Sequence, residues 1–215
     1  MYRYYNIHTH QTGSQADSLS VVNLYDNFAD AAIHKACSTG LHPWYLQDAD
    51  ESVKQLKEIA ALPQVIAIGE CGLDKVCATD WKLQLSIFSK QIALAADLHK
   101  PLIIHCVRAW EEVLAMLQQN KPRVPVIFHG FNKGNMATRL TDLGYYLSFG
   151  KALMNTDSPA VAALKQIPPT RFFLETDDAG IPISDIYQKA ATLLQTEEDD
   201  VILQLQQNFK NVFGK

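Results

Sequence analysis

The 215-residue chain is 47 % hydrophobic and 20 % charged, which excludes a disordered polypeptide and suffices for one large domain or two small ones with a sizeable core. Its 19 Lys and Arg against 23 Asp and Glu leave a formal charge of −4, which argues against a broad basic groove holding nucleic acid by counterion release alone. Cys37, Cys71, Cys77 and Cys106 form no Cys-x-x-Cys pair and are too sparse for a disulfide framework, so they read as buried thiols in a reducing compartment. No apolar run approaches the ~20 residues that span a bilayer, and no basic region followed by a long apolar one opens the chain. The expectation is a soluble, cytoplasmic protein with no membrane partner.

A short apolar and aromatic run ends in Asn6-Ile7-His8-Thr9-His10. On an extended strand alternate side chains share a face, so His8 and His10 project together and can grip one cation. Leu19 to Tyr25 and Ile33 to Leu41 read as two more strands. The spacer between them is short for a parallel crossover, which predicts an antiparallel hairpin or a single cramped turn of helix. Gly40-Leu41-His42-Pro43-Trp44 is a turn carrying a histidine. From there the rhythm is regular. Asp50 to Leu62 has helical spacing, and Val65-Ile66-Ala67-Ile68 is a strand running into Gly69-Glu70. Thr79 or Asp80 caps a long helix whose apolar stripe is Trp81, Leu85, Phe88, Ile92 and Ala95, closed by His99 and Lys100 as cations at its C-terminus. Pro101 to Ile104 leads into His105, Ala109 to Gln119 is helical, and Val124 to Phe128 leads into His129. Lys133 to Leu143 is helical, Tyr145 to Phe149 a strand and Pro159 to Ile167 a helix. Arg171 to Leu174 leads into Glu175-Thr176-Asp177, and helices over Ser184 to Leu194 and Glu198 to Val212 finish the chain.

Nearly all-apolar strands alternating with helices describe a parallel sheet covered on its outer face. With no repeat, low-complexity segment or linker dividing residues 1–215, the expected architecture is one α/β domain, a TIM-type β/α barrel. Its first limb, residues 11–40, is too short for full outer helices; a doubly wound open sheet is the alternative. His10, Glu70, His105, His129 and Asp177 each fall at the C-terminal end of an expected strand, the end where barrel active sites lie. With His8 they make four imidazoles and two carboxylates, too many ligands for one catalytic metal and suited to two ions that share a carboxylate.

These motifs resemble the TatD-like metal-dependent hydrolases of the amidohydrolase superfamily, a family often described as deoxyribonucleases. The resemblance runs through His8 and His10, Gly40-Leu41-His42-Pro43, Ile68-Gly69-Glu70-Cys71-Gly72-Leu73-Asp74, Pro101 to His105, His129-Gly130-Phe131, Leu174 to Asp177, Asn208-Phe209 and Val212-Phe213-Gly214. It implies two divalent ions, whether zinc, manganese or magnesium. His8, His10, Glu70 and Asp177 hold one, Glu70, His105 and His129 hold the other, and Glu70 bridges. The implied reaction is cleavage of DNA or oligonucleotide phosphodiesters by a metal-bound hydroxide, with Asp177 orienting the water and taking its proton. His42 is placed to hydrogen-bond a substrate oxyanion, and Arg108, Lys133 and Lys151 are the cations nearest the mouth.

The chain departs from the family at four places. Asn6 stands where the family has an aspartate, Arg108 follows Val107 where the family's arginine comes one residue earlier, and Asp178-Ala179-Gly180 replaces a small residue, a proline and a basic loop. The fourth is the short first limb. Two phosphate-contacting features are thereby displaced or lost. An amidohydrolase-type opener of small esters, lactones or cyclic amides is therefore the alternative enzyme, and a metal-retaining protein without catalysis the non-enzymatic one. Oligomeric state and natural substrate are not encoded in these motifs.

Overall fold

A computed structural model describes residues 2–13, 16–25, 28–46 and 49–214. Its strands are β1 (Tyr4–Thr9), β2 (Ser18–Leu24), β3 (Cys37–Thr39), β4 (Val65–Asp74), β5 (Leu102–Val107), β6 (Val126–Phe128), β7 (Tyr146–Phe149) and β8 (Phe172–Leu174). They lie in one sheet in sequence order and run parallel, as the pairings β1/β2, β3/β4, β4/β5, β6/β7 and β7/β8 record. A parallel bridge between Thr9 and Asp177 joins the end of β1 to the chain leaving β8. This is the TIM-type β/α barrel expected from the alternation of strands and helices. The helices are α1 (Ala49–Ala60), α2 (Trp81–Leu98), α3 (Trp110–Asn120), α4 (Ala137–Asp142), α5 (Pro159–Gln166), α6 (Ile183–Leu194) and α7 (Glu198–Phe213). None of the described helices is long and apolar enough to cross a membrane.

The short first limb is present, and of the two connections expected there the structure has the single cramped turn of helix and not the antiparallel hairpin. Ser18–Leu24 and Cys37–Thr39 are neighbouring parallel strands, connected through a 3-10 turn at Phe28–Ile33. The rule that a parallel crossover needs a dozen or more residues presumes strands of ordinary length. β3 has three residues, so the return path is only about 10 Å, within reach of six residues of 3-10 helix rising about 2 Å each.

The chain forms two compact units, residues 1–22 with 127–215, and residues 23–126. In the second, every residue of β4 is buried. The Gly69-Glu70-Cys71-Gly72 run explains itself here. Gly69 (φ 151°) and Gly72 (φ 143°) lie where a Cβ would collide with the carbonyl oxygens of Ile103 and His105 on β5, so only glycine lets β4 come this close. The Gly69–Glu70 peptide is cis. The expected stripe on α2 is rotated. Trp81 and Leu85 are only partly buried, whereas Gln84, Ile87, Phe88, Gln91, Ile92, Leu94 and Ala95 are buried. Asp80 is the N-cap, accepting from the Leu83 amide at 2.9 Å. His99 ends the helix in the left-handed conformation (φ 53°). Lys100 serves the neighbouring helix instead of its own: its ammonium donates to the Ala60 and Leu62 carbonyls, where α1 leaves acceptors unfilled.

In the first unit, β1 is held from outside by the two closing helices. The buried Tyr187 hydroxyl of α6 donates to the Tyr5 carbonyl (3.0 Å) and accepts from the Tyr5 amide (3.1 Å), taking both backbone groups of one strand residue. Phe209 of α7 packs on Tyr5 with centroids 4.3 Å apart. Asn208 donates to the Pro169 and Phe172 carbonyls at 2.9 and 3.0 Å, which gives the Asn208-Phe209 motif its structural reason.

Candidate metal centre

Each unit brings its own set of ligating side chains together. In the first, the chain leaving β8 turns at Asp177 with φ 52° and is tied to β1 by Asp177 N to His8 O (3.0 Å) and His10 N to Asp177 O (3.1 Å). Those backbone bonds set Asp177 Oδ1 at 3.5 Å from His8 Nε2 and 3.4 Å from His10 Nε2. Ligand atoms from all three residues lie within 4.8 Å of one another. A hydrogen bond of this type is normally about 2.9 Å, whereas two ligands on a tetrahedral zinc with bonds of 2.0–2.1 Å stand about 3.4 Å apart. The spacing and the donor types, two imidazoles and a carboxylate, fit a divalent cation.

Burial would raise the Asp177 pKa; the His10 and His8 imidazoles facing the carboxyl outweigh it and hold it well below the usual carboxylate range, so Asp177 is ionised at physiological pH. His8 is fully buried, and its ring lies 4.5 Å from that of His129, centroid to centroid. His129 follows β6, and its Nδ1 faces Glu175 Oε1 at 3.6 Å. The same Glu175 oxygen accepts from the Gly130 amide at 2.6 Å. At 3.6 Å the approach of Glu175 to His129 is that of an ion pair, beyond hydrogen-bond reach, and it places a carboxylate behind the His129 ring. Asn6 bonds Thr176 in both directions, Nδ2 to Oγ1 at 2.8 Å and backbone N to Oδ1 at 3.0 Å.

In the second unit, Glu70 Oε1 lies 2.8 Å from His105 Nδ1 and 3.2 Å from His42 Nε2, and these three residues form another group within 4.8 Å. The other His105 nitrogen, Nε2, faces Asp74 Oδ2 at 3.2 Å. His105 thus has a carboxylate within hydrogen-bond reach of each nitrogen; an Nε2–H donated to Asp74 would leave Nδ1 to share a cation with Glu70. Asp74 also accepts from Trp44 Nε1 (2.6 Å) and the Val76 amide (2.7 Å). Against the effect of burial, these bonds and that from His105 lower its pKa. His42 differs in kind. Its Nδ1 accepts from the Trp44 amide at 3.1 Å, so Nε2 carries the proton, and the ring presents an N–H donor toward Glu70.

Two buried glutamines on α2, which apolar periodicity passes over, fix this arrangement. Gln91 pairs with Leu41, Oε1 accepting from its amide (2.7 Å) and Nε2 donating to its carbonyl (3.1 Å). Gln84 does the same for Asp74 at 2.9 and 3.0 Å. Asn23 Oδ1 accepts from the Glu70 amide at 2.8 Å. Asp74, Glu175, Gln84, Gln91 and Asn23 were absent from the expected site residues. For Asp74 and Glu175 the sequence did carry a signal, since both lie inside the motifs around Glu70 and Asp177.

Of the expected substrate cations, Arg108 and Lys133 are exposed. Lys151 is bound to Asp178 at 2.5 Å, so its charge is already met.

A family model described as TatD related DNase matches residues 5–214. Over 166 residues, 74 % of this chain and 62 % of the relative, the sequence is 34 % identical to the uncharacterized metal-dependent hydrolase YabD of Bacillus subtilis. Over 147 residues, 65 % of this chain and 56 % of the relative, it is 33 % identical to a protein of Erwinia billingiae named 3'-5' ssDNA/RNA exonuclease TatD. The matches to the first three curated relatives span 48 %, 63 % and 62 % of their lengths. Among solved structures, YjjV, a TatD homologue from Escherichia coli K12, superposes with a TM-score of 0.88 at 22 % identity, covering 99 % of this chain and 98 % of that one; this likeness speaks to the fold. The chain belongs to the TatD-related DNase family.

Proposed function

We propose that residues 1–215 form one catalytic domain that binds two divalent cations and hydrolyses phosphodiester bonds of DNA or of a single-stranded oligonucleotide. His8, His10, Glu70 and Asp177 would hold one cation and Glu70, His105 and His129 the other, with Glu70 common to both. Imidazoles and carboxylates together suit zinc or manganese, with magnesium the harder alternative. The observation that carries the reading is Asp177, ionised and set at ligand spacing from two imidazoles. The exonuclease name belongs to relatives and supports the substrate class.

Bound cations supply Lewis-acid polarisation of the substrate oxygen, a lowered pKa for the attacking water and compensation for charge on the leaving oxygen. The protein's own residues do the rest. Asp177 accepts a hydrogen bond from the attacking water, orients it, takes its proton as the phosphorus–oxygen bond forms and passes that proton to the oxygen that leaves. His42 donates its Nε2–H to a substrate oxygen as charge grows there. Asp74, within hydrogen-bond reach of His105 Nε2, would hold that ring in one tautomer.

The pairing of Lys151 with Asp178 favours a second reading, hydrolysis of a small neutral ester, lactone or cyclic amide, because it removes one of the few cations placed to meet a phosphate. The test is a labelled single-stranded oligonucleotide assay with added zinc, manganese or magnesium, run beside a carbonyl-substrate panel. We expect shortening of the oligonucleotide, loss of turnover by at least about 100-fold in Asp177→Ala with binding retained, and weaker binding in Arg108→Ala and Lys133→Ala. The salt dependence should be shallow, reflecting only a few phosphate contacts. If no metal supports shortening while a lactone or cyclic amide is opened in an Asp177-dependent way, the second reading replaces the first.

A further inference from the structure

Beside His42 the second unit exposes three aromatic rings. Trp44 is 54 % exposed, Tyr45 55 % and Tyr25 39 %. Large rings usually withdraw from water, and a contiguous exposed set marks a surface meant to be covered. These rings are also fixed. Trp44 and Tyr45 belong to the 3-10 turn Pro43–Tyr45, whose N-cap is His42 itself. The Trp44 amide donates to His42 Nδ1 (3.1 Å), the Tyr45 amide to His42 O (3.1 Å), and the Trp44 indole N–H to Asp74 (2.6 Å). Tyr25 stacks on Tyr45 with centroids 5.2 Å apart and planes 25° apart. The His42 ring lies 5.0 Å from Trp44 and 5.6 Å from Tyr45. One turn therefore sets both the N–H donor of His42 and the rings that flank it.

We propose that Trp44, Tyr45 and Tyr25 form a stacking shelf for the nucleobase of the nucleotide whose phosphate His42 contacts, an inference that rests on the phosphodiester reading above. The occupant follows from charge as well as shape. A chain of net charge −4 with Lys151 already paired has little to offer a row of phosphates. Stacking on an aromatic face binds a base without cations, tolerates any sequence and requires the base to be unpaired. The shelf thus selects single strands, and its contribution survives salt concentrations that cancel phosphate contacts.

The test uses the metal-loaded full chain and short labelled single strands made resistant to hydrolysis by phosphorothioate linkages, with fluorescence anisotropy as the readout. One strand carries bases and the other is abasic along the same backbone. We expect the base-bearing strand to bind about tenfold more tightly, the scale of one stacked base, with the ratio unchanged between low and high salt. Tyr45→Ala and Tyr25→Ala should collapse the ratio, whereas Tyr45→Phe should keep it; these side chains are exposed, and circular dichroism verifies that each variant folds. Equal binding of the two strands, no binding of either, or a preference that survives both alanine variants overturns the shelf. So does self-association of the protein that Tyr45→Ala abolishes, since a second copy would then be the occupant. Cleavage of native oligonucleotides with no base preference removes the shelf and leaves the hydrolase reading. Base preference without cleavage does the reverse.

Discussion

Gln91→Leu is the sharpest probe of how the His42 turn is held. The side chain is 1 % exposed and makes two hydrogen bonds to Leu41, itself 8 % exposed. Leucine has nearly the same volume, so the substitution leaves no large cavity. What it strands is the Leu41 amide and carbonyl, each deprived of its Gln91 partner. Each stranded group costs about 1–3 kcal/mol. The sum, about 2–6 kcal/mol, is offset in part by the gain from burying an apolar side chain in place of an amide, which brings the expected loss to about 3 kcal/mol. Against a typical total of about 5–15 kcal/mol that is a large fraction, and for a chain of this length it lowers Tm by about 6–12 °C.

Urea unfolding with an unchanged slope and a lower midpoint is the direct measurement. Native-state hydrogen exchange should show the Leu41 amide losing protection well beyond the global change, because its acceptor is gone. A loss below about 0.5 kcal/mol, the range of ordinary surface changes, would refute the claim that this glutamine holds the turn.

Three further outcomes follow from the structure. Alkylation of the native protein at pH 8 should label Cys77 and Cys106 and spare Cys37 and Cys71, since burial and the neighbouring Glu70 charge push the Cys71 thiol far up; mass spectrometry reads the sites, and fast labelling of Cys71 would contradict its burial. Tyr187→Phe should cost about 1–3 kcal/mol at neutral pH through its two bonds to Tyr5. Burial raises the Tyr187 pKa, so its contribution is complete below the unfolded value near pH 10 and is lost as pH rises through the folded one; the gap between wild type and variant should narrow above about pH 10. Finally, His105→Ala with His129→Ala should lower the divalent metal content of protein purified without chelator from two ions per chain toward one, by elemental analysis, and full retention would rule out the second ion.

The strand-end histidines and carboxylates were legible in the sequence because parallel strands buried on both faces are continuous apolar runs, and the polar residue that ends each run stands out. Position at the end of a run is what pointed to His105 and His129, whereas Asp177 stands two residues beyond Glu175, which ends its own run. Glu70 is a subtler case. β4 continues past it to Asp74, as β5 continues past His105 to Val107, so both residues lie inside their strands, and the glycines that flagged Glu70 answer to the close approach of β5. The glutamines of α2 were not legible. An apolar stripe sorts residues by side-chain polarity, and Gln84 and Gln91 face inward only because backbone groups of Asp74 and Leu41 wait there to be satisfied. That need arises from loops far along the chain, so no local window contains it. The hairpin expectation failed for a related reason: strand length, which sets the return distance, is itself decided by the neighbours that β3 pairs with.

Glu175-Thr176-Asp177 shows how three consecutive residues serve three different contacts. Glu175 is turned to His129 and the Gly130 amide, Asp177 to His8 and His10, and Thr176 to Asn6 and Thr9. The middle contact makes sense of Asn6, which stands where the resemblance carries an aspartate. Asn6 Nδ2 donates to Thr176 Oγ1 (2.8 Å), Thr176 Oγ1 donates to Thr9 Oγ1 (2.9 Å), and Thr9 Oγ1 donates to the Asp177 carbonyl (3.3 Å). Only a group that donates can start a chain with that polarity. An ionised carboxylate at position 6 would accept from Thr176 instead, and the hydroxyl would no longer point to Thr9. The amide therefore fixes the direction of a buried hydrogen-bond run that ends on the backbone of Asp177, the residue whose placement sets both histidine distances. Asn6 is a departure from the family in charge, and it still supports Asp177 through the hydroxyls between them.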